Sequence, residues 1–121
     1  MDEKVTIAQL KNKIEKFSEE RDWKKYHNSK DLAMSISIEA GELLENFQWL
    51  TDKEISQLSK NPKKTQKIKS ELADVFVYAF NLSQTLSIDV SEIIFNKIKE
   101  NEKKYPISEI KGNYRKYSEI K

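Results

Sequence analysis

The sequence predicts an all-α protein, and three observations carry that expectation. Apolar residues recur at three- and four-residue steps over long stretches, the 121 residues include only two glycines and two prolines, and Lys, Glu, Leu and Ile dominate the rest. This length suits one compact core without a second independent domain, and the core would be thin enough to favour self-association.

Ile7, Leu10, Ile14 and Phe17 mark a first amphipathic helix that should fade near Arg21 to Trp23. A second helix should begin near Ser29 to Asp31 and reach about Trp49, because Leu32, Ile36, Ala40, Leu43, Phe47 and Leu50 form one apolar stripe. Thr51 and Glu54 have the spacing of a capping box for a short surface helix. Asn61-Pro62 is a turn before a third long helix carrying Ile68, Leu72, Val75, Ala79, Leu82 and Leu86, which Ser87-Ile88 should end. Asp89 and Glu92 open a fourth with Val90, Ile93, Ile94 and Ile98, and Tyr105-Pro106 closes it. Residues 1–106 are thus expected to form a helical domain. Residues 107–121 lack a sustained stripe and contain the turn pair Gly112-Asn113, so they are expected to be an extended or partly ordered basic tail. Four main helices with short connections point to an antiparallel four-helix bundle.

Without cysteine there is no disulfide framework and no thiolate metal site. No apolar run approaches membrane-spanning length and no signal-peptide core follows the charged N-terminus, so a cytoplasmic protein with no membrane partner is expected. Residues 97–121 hold eight Lys/Arg against four Glu, so the basic tail sits beside a slightly acidic body. Such a tail suits nucleic acid or the phosphates of a small nucleotide, and an ordinary solvated surface is the commoner meaning of a charge run.

Glu39 and Glu42 on the second helix, and Glu71 and Asp74 on the third, are pairs spaced i, i+3 on one helix side. At about 100° per residue, Glu39 lies about 50° and Glu71 about 70° from the centre of its stripe, so the first acid of each pair borders the core. Packing of the two helices would converge four carboxylates. Converged, they need a cation, because partly desolvated like charges otherwise repel or protonate. Mg²⁺ fits, being a hard ion bound by carboxylates, water and phosphates. A di-iron bundle is disfavoured because its Glu-x-x-His sets cannot be built around a single histidine, His27. Surface acids of Lys/Glu-rich helices usually have a basic i+4 partner, as Glu100 has in Lys104. Glu39, Glu42 and Asp74 are followed there by Leu43, Asn46 and Tyr78, and only Glu71 has a nearby base, Lys67.

Glu39-x-x-Glu42 followed by Glu71-x-x-Asp74 resembles the metal-binding signature of the MazG-like nucleotide pyrophosphohydrolases. Glu20-Arg21-Asp22-Trp23, His27, Gly41-Glu42-Leu43, Phe47-Gln48-Trp49, Lys97, Asn101 and Lys104-Tyr105-Pro106 are similar to its dCTP pyrophosphatase branch, and the likeness runs from about Ile7 to Glu119. It implies a bundle of the MazG-like type, a homodimer or homotetramer, and Mg²⁺-dependent hydrolysis of a nucleoside triphosphate between its α- and β-phosphates. The four acids would be metal ligands and catalytic residues. Lys97, Lys104, Tyr105, Arg115, Lys116 and Tyr117 would meet phosphate oxygens, with Asn101 as a positioning group. Trp23 and Trp49 would stack on the base, Tyr78 would contact the sugar and His27 would hydrogen-bond substrate. The chain departs from relatives in carrying Lys103-Lys104 where arginines are common, and in a segment between Trp49 and Pro62 rich in Lys, Ser and Asp. dCTP or a modified cytosine nucleotide is the expected substrate, with broad (d)NTP cleavage second. A helical nucleic-acid-binding module lacks a reader motif and leaves the acids without a role, and in an assembly adaptor the acids would tolerate neutralisation.

Overall fold

In a computed structural model of the protein, residues 1–112 are described, and every regular element among them is helical. The elements are α1 (Ile7–Glu20), α2 (Ser29–Glu45), α3 (Asp52–Ser56), α4 (Pro62–Thr85), α5 (Val90–Lys104) and α6 (Ile107–Ile110). Single 3₁₀ turns lie at Lys24–Tyr26 and Leu58–Lys60.

Each long helix starts where a side chain can accept an orphan backbone N–H. Asn28 accepts from Asp31 at 2.8 Å, Asn61 from Lys64 at 3.1 Å ahead of Pro62, and Asp89 from Glu92 at 2.8 Å. Thr51 and Glu54 form the expected reciprocal box. Thr6 and Gln9 form another, at 3.1 and 2.8 Å, which fixes the start of α1. Each cap is worth about 1 kcal/mol.

The ends of α1 and α4 share one device. Beyond α1, Asp22 adopts φ 54°, its N–H reaches the Glu19 carbonyl and the Trp23 N–H reaches Ser18 at 2.9 Å. Beyond α4, Ser87 adopts φ 54° and the Ile88 N–H reaches Ser83 at 2.7 Å. These are Schellman closures with Asp and Ser in the left-handed position usually held by glycine. The first brings Trp23 back against Phe17, the hydrophobic contact that accompanies such a turn; the rings meet edge-on at 5.6 Å.

Two boundaries differ from expectation. α2 stops at Glu45, short of Trp49, because Asn46 at its C-cap turns its amide back onto the Glu42 carbonyl at 3.1 Å, and Phe47 to Leu50 continue as tight turns. The segment after Pro106, expected to be extended or partly ordered, opens with one helical turn, α6. Its closing bonds run from Glu109 N–H to Pro106 and from Lys111 N–H to Ile107.

The chain divides into two compact units, Met1–Ile88 and the part from Asp89 onward. Within the first, α2 and α4 make the most extensive contact and α1 packs on α4. Lys11 of α1 donates to the Ile88 carbonyl at 2.8 Å. The core is thin: Leu32, 2% exposed, is the one large side chain fully buried among the described residues. Met34, Ile38 and Leu44 of α2 and Leu72 and Phe76 of α4 stay substantially exposed. In the second unit, residues 91–103 are all exposed. No helix among the described residues is long and apolar enough to cross a membrane.

Candidate metal and substrate site

Packing of α2 on α4 brings the acidic pairs together. One carboxylate oxygen each from Glu39, Glu42 and Glu71 lies within 4.8 Å of the other two. Asp74, one turn beyond Glu71, is near enough for its charge to act on both Glu39 and Glu71. Among the described residues no lysine or arginine pairs with any of the four. Glu39 Oε2 and Glu71 Oε2 are buried without a hydrogen-bond partner.

The strain shows in the protonation equilibria. Burial, then a hydrogen bond shared with Glu42 and the charges of Glu42, Asp74 and Glu71, push Glu39 from 4.5 up to about 7. Glu71 is raised as well, first by burial and then by Glu42 and Asp74. A site that disfavours its own carboxylates is short of positive charge. Orphaned carboxylate oxygens suit a hard divalent cation, which takes oxygen ligands. The chemistry of the donor set therefore fits the expected metal.

Beside the acids is a cavity of about 460 Å³ lined by α1, α4 and the turn between α1 and α2. Trp23, His27, Asp74 and Tyr78, four of the residues singled out in the sequence, share its walls. Its size falls in the ordinary range for small-molecule pockets. One edge carries the Asp74 carboxylate; the remainder is largely apolar, with Ile14, Phe17 and Val77 among its walls.

Trp49 is not in that cavity. It lies beyond the opposite end of α2 and is 83% exposed. Lys97, Asn101, Lys104 and Tyr105 belong to the second unit. The first three share a face of α5, and Tyr105 caps it. Lys97 and Lys104 both bridge Glu100, at 3.4 and 2.9 Å, and hold its carboxyl below the usual range, Lys104 more strongly. Arg115, Lys116 and Tyr117 lie outside the described residues.

Among the cavity residues that escaped the sequence reading, Ser18 and Asn81 are the buried polar ones, 3% and 7% exposed. Their signal was polarity inside an apolar pattern. Ser18 stands four residues after Ile14, and Asn81 three after Tyr78 and seven after Asp74.

The family model described as MazG-like matches residues 34–120 of the chain. The chain belongs to the MazG-like family. This member is 30% identical over 115 residues to the proteins named dCTP pyrophosphatase 1 of Rattus norvegicus and Homo sapiens, covering 95% of this chain and 68% of each relative. Among solved structures it is similar to a pyrophosphatase from Archaeoglobus fulgidus, with TM-score 0.74 and 39% identity over 82% of this chain and 91% of that one. This MazG-like chain is a hydrolase of the pyrophosphatase class.

Proposed function

We propose that the protein is a Mg²⁺-dependent nucleoside triphosphate pyrophosphohydrolase that releases a monophosphate and pyrophosphate, with dCTP or a modified cytosine nucleotide preferred. The observation that carries this reading is the cation-poor acidic cluster on α2 and α4, with Asp74 shared between it and the cavity holding Trp23, His27 and Tyr78. The dCTP pyrophosphatases among its relatives support the base preference.

Glu39, Glu42, Glu71 and Asp74 would hold the metal, and Mg²⁺ bound there would supply neutralisation of the triphosphate and acidification of a water. The oxygen of water adds to phosphorus at the α–β bridge, and the bridging P–O bond breaks with its electron pair leaving on pyrophosphate. The proton released passes to a carboxylate oxygen of the quartet. Trp23 stacks on the base, His27 hydrogen-bonds the nucleoside and Tyr78, one turn past Asp74, meets the sugar. On this reading Lys97, Asn101, Lys104, Tyr105, Arg115, Lys116 and Tyr117 serve the phosphates, the basic tail 107–121 completing or flanking the site of the helical catalytic domain 1–106.

The same reading carries the antiparallel four-helix bundle of the MazG-like type expected from the sequence, assembled as a homodimer or homotetramer. Met34, Ile38, Leu44, Leu72 and Phe76 give a physical reason, since helices apolar on more than one face suit the interior of a larger assembly. Trp49, exposed and remote from Trp23, can contact a base at an active site completed across a subunit contact.

The deciding experiment is a panel of dNTPs and NTPs assayed with Mg²⁺ and with excess EDTA, resolving monophosphate plus pyrophosphate from diphosphate plus phosphate. Cleavage at the α–β bridge, abolished by EDTA and restored by Mg²⁺, supports the reading. Full turnover in EDTA, or release of single phosphate, defeats it. Equal turnover of all bases removes the cytosine preference and leaves a broad-specificity pyrophosphohydrolase.

A further inference from the structure

Asn81 has no role in the metal site, yet it is placed as a reader. The residue is 7% exposed, and it lines both the Trp23 cavity and an adjoining one of about 330 Å³, together with Ser18 and His27. Its backbone carbonyl accepts from Thr85 at 3.0 Å, but among the described residues nothing hydrogen-bonds its carboxamide. The carboxamide is also absent from the sealed, unpaired groups, which are Glu39 Oε2 and Glu71 Oε2, so its atoms open into the cavities. A buried amide left unpaired is costly, and one facing a ligand cavity finds its partners there.

The helix sets the distance. Asn81 is seven residues past Asp74, two turns or about 10 Å along α4. Tyr78 lies between them. A nucleotide whose phosphates are at Asp74 and whose sugar is at Tyr78 has its base running towards Asn81, with Trp23 and Phe17 in the same walls.

We propose that Asn81 hydrogen-bonds the outer edge of the base, with the Ser18 hydroxyl beside it, and that it accepts cytosine and uracil edges alike. This rests on the pyrophosphohydrolase reading above and deepens it. An amide offers one acceptor and one donor side by side. Cytosine presents an amino donor next to a ring-nitrogen acceptor, so Oδ1 takes the amino hydrogen and Nδ2 donates to the ring. Uracil presents a carbonyl acceptor next to an imide donor, and the same amide turned over matches it. Because no group among the described residues fixes which way the carboxamide points, Asn81 recognises that a pyrimidine edge is present and leaves the choice between the two to other contacts.

The test measures kcat and KM for dCTP and dUTP, with inorganic triphosphate as a competitive inhibitor, in the full chain and in Asn81→Ala, Asn81→Asp and Trp23→Ala. Asn81→Asp keeps the volume and removes the donor, so it serves if the alanine variant folds poorly. Asn81→Ala is expected to raise KM for both nucleotides roughly ten- to a hundredfold, the value of two lost hydrogen bonds, and Asn81→Asp roughly three- to tenfold, the value of the one donated bond, with the inhibition constant of inorganic triphosphate unchanged in both. Equal losses for nucleotide and inorganic triphosphate would make Asn81 a structural residue and overturn the proposal. A loss for dCTP alone would mean that the amide is held in one orientation, and would overturn the shared recognition. If Trp23→Ala abolishes the advantage of nucleotide over inorganic triphosphate and the Asn81 variants do not, the Asn81 proposal falls and the base pocket stands. If the parent shows no such advantage, both fall.

Discussion

Glu39→Gln is expected to stabilise the metal-free protein at pH 8, although it removes a proposed metal ligand. The folded state raises Glu39 from 4.5 to about 7, chiefly through burial and then through Glu42, Asp74 and Glu71. The unfolded chain therefore releases its proton at lower pH than the folded one. Stability associated with this group is fully present below pH 4.5 and is lost as pH rises through about 7. Glutamine imitates the protonated form at every pH and keeps what the parent loses. The interval between the two values corresponds to at most about 3 kcal/mol, and solvent screening at a partly open site reduces it to about 1–2 kcal/mol. For a chain of this size that amounts to a Tm about 3–10 °C above the parent at pH 8, shrinking to nothing near pH 4.5. The assay is thermal unfolding followed by circular dichroism in EDTA, at fixed protein concentration, from pH 4.5 to 8. Excess Mg²⁺ should reverse the order, because the parent gains a bound ion that the variant holds more weakly. A variant less stable than the parent at pH 8 in EDTA, or a difference that does not change with pH, would refute the electrostatic account of the cluster.

Trp23→Ala should weaken nucleotide binding by about five- to a hundredfold and spare inorganic triphosphate, as calorimetry on a Glu42→Gln background with Mg²⁺ would show. Trp49→Ala should do the same if the proposed oligomer forms, and equal losses for both ligands would assign either indole to the fold or to a subunit contact. Leu32→Ala should cost about 2–5 kcal/mol in urea unfolding, since Leu32 is the one large side chain fully buried among the described residues; a loss under 1 kcal/mol would show that the core collapses around it.

The helices were legible because they are local. Stripe periodicity placed α1, α2, α4 and α5, and Asn61-Pro62, Thr51 with Glu54 and Ser87-Ile88 punctuated them where the structure does. The end of α2 was not legible. Phe47 and Leu50 keep helical spacing, but the Asn46 amide competes for the Glu42 carbonyl and the chain turns. The apolar residues outside the main stripes, Met34 and Ile38 on α2 and Phe76 on α4, were equally hard to interpret, because a single-stripe pattern has no place for a second apolar face.

The acidic pairs were visible as two i, i+3 motifs, each on the border of an apolar stripe. Their convergence depends on how α2 packs against α4, and the sequence could only state it conditionally. The cavity shows the same division. Tryptophan and tyrosine announce themselves by type, whereas Ser18 and Asn81 are ordinary residues until burial in a shared wall gives them a purpose.

By itself, then, the sequence determined the helices, their caps and the composition of the acidic cluster, because these follow from spacing along one chain and from the chemistry of single residues. Tertiary structure decided which carboxylate oxygens meet, that Glu39 and Glu71 are raised by burial before their like charges act, and that Trp23 lines the cavity with Asp74 while Trp49 does not. These outcomes depend on desolvation and on distances between residues far apart in the chain, and both arise only when α1, α2 and α4 pack.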